Sequence, residues 1–287
     1  VTAHAVARHS RARQVDAAAV EELADEVKEG AQGLGRSPML FGMAVNEALL
    51  LVRAQVEMNP RANLLETWEA AVSAMQVSEA AFAAAAVSEG SVERRVAGEM
   101  RSIPATGPQF YAHAGNWLTA FWLAITCRDQ ERMTHLCRVP IEVLRASGVE
   151  GDEYLYHWVD ALQTYWLEEP GLVDKLTAAI ETSHPDVATI APRDLLQNVL
   201  YPPINLFYRF LRKEHGAFNA ALAEALELHK RYWTTNEERS DDIEGCLALG
   251  PLAVACLAYD AGFPIEVESD YLPHHLLRRT WVGEFPV

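Results

Sequence analysis

The sequence predicts an all-α protein, a single multi-helix domain carrying one small β-hairpin. Three observations lead there. Apolar residues recur at three- and four-residue intervals through most of the chain, the spacing that lines up side chains on one helix face. The interruptions are short and marked by Pro or Gly, which leaves connections of the length found between bundled helices. Half of the 287 residues are hydrophobic, so a sizeable core can form.

Taken in order, residues 1–14 hold Arg8, Arg11 and Arg13 without an apolar run of signal-peptide length. They read as a flexible arm ahead of a domain spanning 15–287. An amphipathic helix over Val15–Glu29 gives way to the "GAQGLGRSP" linker at Gly30–Pro38, and a second helix covers Met39–Met58, closing before Pro60. Leu64–Ser88 is long and alanine-rich, with Leu65, Trp68, Val72, Met75 and Phe82 along one side. Its many alanines permit neighbouring helices to approach closely. Between Val92 and Ile103 two short alternating runs flank Ala97–Gly98, predicting a hairpin that stands out from the helical body.

Helices resume at 109–127, 129–136, 140–146 and 152–168, the last with Tyr154, Trp158, Leu162 and Tyr165 on one face. Two weaker patterns follow at Leu172–Thr182 and 187–200. "YPP" restarts the register at Tyr201, so that 204–213 buries Ile204, Phe207, Tyr208 and Leu211, with Pro203 suited to a first turn. The next helix, 217–232, repeats Phe218, Leu222, Leu226 and Trp233. Gly250–Pro251 must kink or interrupt the apolar helix 243–260. Its charge-free part, Cys246–Tyr259, falls short of the roughly 20 residues a bilayer requires and predicts a core helix. Ile265 and Val267 alternate with Glu266 and Glu268, giving a short extended segment before a final turn at Pro273–Arg279. "DALQTYW" (160–166) and "EALELHKRYW" (224–233) look loosely alike, so a superhelical array of helix pairs is open to this chain even without a strict repeat.

The formal net charge is −16. That disfavours nucleic acid and membranes as partners, since both reward a cationic footprint, and suits a basic protein whose approach an acidic field accelerates. The same charge also serves solubility. Cys127, Cys137, Cys246 and Cys256 form no CxxC and have no histidine at finger spacing. No metal or cofactor is therefore expected, and a reducing, cytoplasmic setting fits best.

Candidate chemistry is sparse. Gln109, His113 and Asn116 stand at i, i+4 and i+7; they suit a ligand pocket with a titrating histidine or a hydrogen-bonded seam between helices. Asp241, Asp242 and Glu244 look like the aspartate-rich box with which all-α isoprenoid synthases hold magnesium, yet Gly245 stands where the second ligand would be, and helix capping explains them as well. His157 lies between Glu153 and Asp160 at helical spacing, and His274–His275 is a tandem; both read as ordinary surface groups. There is no GxSxG elbow, phosphate-binding glycine loop or HExxH. The acidic clusters are the better functional surface: Glu237, Glu238, Asp241, Asp242 and Glu244; Glu266, Glu268 and Asp270; and Glu150, Asp152 and Glu153.

Four segments carry a resemblance: "LLETWEAAVSAMQVSEAAFAAAA" (64–86), "IPATGPQFYAHAGNWLTAFWLA" (103–124), "YPPINLFYRFLR" (201–212) and "LGPLAVACLAYDAGFPIEVESDYLP" (249–273). In order and length they resemble the immunity-protein 49 family of bacterial polymorphic-toxin systems. The resemblance implies an all-α cytoplasmic protein that binds and neutralises a cognate toxin without chemistry of its own. No binding motif accompanies it, so no functional residue is carried over. The leading expectation is an immunity protein that occludes a basic toxin through an acidic helical face and the 92–103 hairpin. Its rivals are a small-molecule binder or enzyme using Gln109, His113 and Asn116, and a helical scaffold with a concave aromatic surface.

Overall fold

Small side chains on every face suit a helix to the middle of a protein, and the alanine-rich helix α3 (Leu65–Ala85) is buried nearly all round. A computed structural model describes residues 4–34 and 36–285. Val1–Ala3 of the expected arm, Gly35 of the linker and Pro286–Val287 of the tail lie outside the described residues. Before α3 come strand β1 (His4–Ala5), α1 (Ala17–Gly33) and α2 (Phe41–Met58); after it come β2 (Ser91–Val96), β3 (Glu99–Pro104) and α4 (Ala114–Cys127). Next are α5 (Gln130–Cys137), α6 (Ile141–Arg145), α7 (Glu153–Trp166), α8 (Leu172–Thr182) and α9 (Arg193–Leu195). The chain ends with α10 (Pro202–Leu211), α11 (His215–Trp233), α12 (Glu237–Ser240), α13 (Leu249–Asp260), β4 (Val267–Glu268) and α14 (His274–Leu277).

The predicted all-α class is what the chain adopts. Helix pairs α2–α3, α7–α8 and α10–α11 form, and α4 packs on α3, α5, α7 and α13. Trp117 at the centre stacks on Phe121 at 4.9 Å and donates its indole N–H to Leu136 O at 2.9 Å, satisfying the one polar atom of a fully buried ring. From Trp122 an aromatic series runs through Trp158, Phe207 and Tyr165 into α10.

The hairpin forms in the predicted register, with Val92 opposite Ile103. Its turn needs left-handed backbone at both central residues: Ala97 has φ 52° and Gly98 φ 78°. The Ala97 N–H is held by Gln76 Oε1 at 3.0 Å, which helps to keep a non-glycine residue in that conformation.

Several boundaries differ from expectation, each for a local reason. The helix expected at 109–127 starts at Ala114, because His113 is extended and its Nδ1 accepts the Asn116 N–H as an N-cap. Over 187–200 only α9 and a π turn at Leu196–Leu200 form. Pro202 and Pro203 have no N–H to give the carbonyls four residues back, and the backbone widens so that Tyr201 N bonds Leu196 O at 2.9 Å. The apolar run 243–260 is split into a 3₁₀ turn at Ile243–Cys246 and α13. Pro251 therefore sits in a first turn, where its missing N–H costs nothing, and does not kink a helix. The expected linker at Gly30–Pro38 is helical to Gly33.

Residues 4–13, expected as a loose arm, lie against the body. β1 pairs in parallel with β4, Arg8 donates to Val56 O and Glu57 O, and His9 Nδ1 meets Tyr271 Oη at 2.7 Å.

Candidate partner-binding surface

The hairpin is anchored from below by a buried charge cluster. Glu79 on α3 has a side chain only 1% exposed, and it receives Arg94 of β2 at 2.8 Å and Arg132 of α5 at 2.9 Å. Arg132 also reaches Asp129 at 3.0 Å and the Arg95 carbonyl at 2.8 Å. Burial acts to raise the Glu79 carboxyl pKa, but the neighbouring His135, Arg94 and Arg132 outweigh it and hold the group below its ordinary value. His135 Nδ1 stands 3.5 Å away, too long for a well-formed hydrogen bond, so the two guanidiniums supply most of the stabilisation. Glu79, Arg94, Arg132 and His135 did not stand out in the sequence, since their pairing crosses separations such as 53 positions.

The acidic residues sort by what lies beside them. Glu237 and Glu238 are exposed on the first turn of α12, capped by Asn236. Asp241 is paired with Arg13 at 3.0 Å and Glu244 with Arg53 at 2.8 Å, whereas Asp242 caps the 3₁₀ turn by accepting the Glu244 N–H at 2.9 Å. Glu268 and Asp270 are exposed and Glu266 is half-buried. Arg8, His9 and Arg11 lie in a depression shared with Glu57 and Asp270, and Arg11 binds both Glu57 and the Asp241 carbonyl. The chain's own N-terminal arginines thus run between the two clusters and compensate part of their charge.

The third cluster is corrected by the structure. Asp152 is buried, its carboxylate accepting the backbone N–H groups of Thr189, Ile190 and Ala191 at 2.8–3.0 Å. It therefore shapes a loop and offers no surface. Glu153 is committed to Arg145 through two bonds of 2.7 and 2.8 Å, and Asp160 to Lys175 at 2.8 Å. Glu150 and Glu153 are both exposed, and of the two only Glu150 is outside any ion pair among the described residues.

Gln109, His113 and Asn116 do not share one helical stripe. Gln109 precedes α4 and donates to Thr106 O; His113 caps the helix; Asn116 donates to Tyr111 O at 2.9 Å. Burial lowers the His113 pKa, favouring the neutral ring that capping needs. A cleft of about 200 Å³ opens nearby, lined by Trp122, Trp158, Tyr154, Leu49 and Arg53, and bordered by Gly115 rather than by any of the three. His229, also on that cleft, bonds Gly245 O at 3.0 Å, and burial lowers its pKa to about 4. The cleft wall is chiefly apolar, with the Arg53–Glu244 ion pair as its charged part. Among the described residues no three His, Cys, Asp or Glu side chains converge as a metal set.

Helical body, anchored hairpin and charged outer faces describe a protein that presents surfaces. Residues 59–276 match the family model described as Immunity protein 49, and over that span, most of its length, the chain belongs to this family. No curated protein and no solved structure matches it.

Proposed function

We propose that this protein neutralises a cognate toxin by binding it directly and covering its working surface, in the cytoplasm and without catalysis. Family membership carries the reading, and the net charge of −16 supports a basic toxin as the partner. In this reading Glu237, Glu238, Asp242, Glu268 and Asp270, exposed and outside any ion pair among the described residues, draw the partner in. Asp241, Glu244 and Glu266 shape the same face. Charge mainly accelerates encounter and sets its salt dependence, so a long-lived complex also needs a dry apolar centre. The test is co-expression with the product of the neighbouring gene. Protection of the cells and co-purification of the two chains are expected; continued toxicity with no complex would remove the proposal.

A further inference from the structure

We infer that an apolar ridge made by Met43 and Leu50 of α2 with Phe110 is the dry centre of the contact with a basic protein partner, and that the outer face of α1 is its acidic rim. The inference rests on the toxin-binding reading and adds the place of contact. Large apolar side chains are seldom presented together in this way without a covering partner. Met43 is 54%, Leu50 40% and Phe110 60% exposed, and Met39, just before α2, is 71% exposed. Met43 and Leu50 are two turns apart on one helix, hence on one face.

Phe110 is held in place rather than dangling. Its ring lies on the bare backbone of Gly42, where an added Cβ would come within 2.8 Å of Cζ. From behind, Tyr111 meets it edge-on at 5.5 Å and itself packs on Phe41. An aromatic ring fixed at the surface loses little freedom on binding, the property of a good anchor. Methionines beside it adapt to an irregular partner.

The partner's chemistry follows from α1. Glu21, Glu22, Asp25, Glu26 and Glu29 are exposed, and helical spacing puts them on one face, with Lys28 the one basic residue of the helix. None of the five forms an ion pair among the described residues, in contrast to Asp241 and Glu244. Two contacts tie this helix to the ridge and the hairpin: Gly30 lies beside Glu47, which is on α2 between Met43 and Leu50, and Arg101 of β3 donates to Gln32 O. An apolar centre with a single-signed polar rim is the usual anatomy of a protein interface. Here the rim demands lysines and arginines around a hydrophobic recess on the partner.

The experiment titrates the full chain with a catalytically inactivated form of the toxin domain that the co-expression test identifies, by calorimetry and by surface kinetics at two salt concentrations. Met43→Ser with Phe110→Ser should weaken binding by about 30-fold or more, through faster dissociation, as removal of central anchors does. Replacing the five α1 carboxylates by Gln should instead slow association and flatten its salt dependence. Val173→Ser, at a still more exposed apolar position on α8 (76%), should change nothing. Unfolding curves should coincide for all variants, since every substituted side chain is exposed. Tight binding by wild type and undiminished binding by the Met43/Phe110 variant would overturn this inference and leave the toxin-binding reading intact. A wild-type dimer in sedimentation that dissolves in the same variant would assign the ridge to a second copy and also overturn it. No binding by wild type would remove the parent reading itself.

Discussion

Glu79 and Arg132 lie 2.9 Å apart inside the helical body, with side chains 1% and 8% exposed. Because Arg132 also holds the Arg95 carbonyl, and Arg94 comes to the same carboxylate, one acidic side chain links α3, α5 and the hairpin. A buried charge is tolerated only when its partners are complete. The hairpin's attachment and the ionisation of Glu79 are therefore one property.

Glu79→Gln should cost about 3–5 kcal/mol, the usual penalty for breaking one side of a buried pair. Amide exchange should show residues 91–104 losing protection first. The sign with pH follows from the lowered Glu79 pKa. The stabilisation is complete above the ordinary carboxylate value of about 4.3 and fades as pH falls through the lower folded value. The gap between wild type and variant in urea unfolding should thus close in acid. A hairpin as well protected in the variant as in wild type would refute the linkage.

His229 should make the fold sensitive to mild acid. Its ordinary pKa of 6.5 is lowered to about 4 by burial, opposed by the bond to Gly245 O. The unfolded chain takes up a proton near 6.5 that the folded chain refuses until about 4. Stability is therefore full above 6.5 and declines as pH falls through that window, by up to about 3 kcal/mol. His229→Phe should be less stable at neutral pH, with the Gly245 carbonyl lacking a donor, but should lose this slope. Equal slopes in both proteins between pH 6.5 and 4 would show that another group is responsible.

Much of this architecture was readable from spacing alone. α8 falls where the pattern put it, Leu172–Thr182, and the hairpin turn sits at Ala97–Gly98. What failed was non-periodic. Tyr111 and Ala112 continue the apolar pattern of α4, yet the backbone turns at His113, which caps with a ring nitrogen where Ser or Asp would have been recognised. Pro202 and Pro203 act on carbonyls upstream of themselves, so the π turn leaves no mark in its own residues. Asp152 was placed on a surface because helical spacing cannot distinguish a solvated carboxylate from one that accepts three N–H groups of a loop 37 to 39 residues away. Glu79 carried a faint signal: unlike the exposed Glu66 and Glu69 near the start of α3, it lies deep in the helix among small and apolar residues. The acidic face of α1 was present in the spacing of Glu22, Glu26 and Glu29.

Asp152→Ala should cost about 2–3 kcal/mol, because three partly buried N–H groups lose a charged acceptor. The damage should be local, with Thr189, Ile190 and Ala191 exchanging faster while α3 and α4 keep their protection. Asp152→Asn should recover part of the loss, since its amide oxygen still accepts. A uniform loss of protection across the protein would show that this loop is part of the cooperative core.

All four cysteines are buried and unpaired. Burial raises each thiol pKa, that of Cys256 to about 11, so the reactive thiolate is scarce at neutral pH. A disulfide-exchange reagent should label the native protein slowly and take up four equivalents once it is denatured. Rapid labelling of even one thiol would mean that its helix opens often, and mass mapping would identify which.

Gly42→Ala separates stability from recognition. Glycine is worse than alanine by up to about 1 kcal/mol in a helix interior and by less at Gly42, in the first turn of α2, and the atoms that a new Cβ meets belong to the outer end of the exposed Phe110 ring. That ring can swing into solvent, so the variant should fold as well as wild type or slightly better in urea. Its binding to the partner should nevertheless weaken, because the aromatic anchor has lost its seat on α2 while its chemistry is unchanged. Phe110→Ala combined with Gly42→Ala should bind no worse than Phe110→Ala alone, the non-additivity expected of two changes acting through one ring. Additive losses in that cycle would show that Gly42 matters for a reason other than the placement of Phe110.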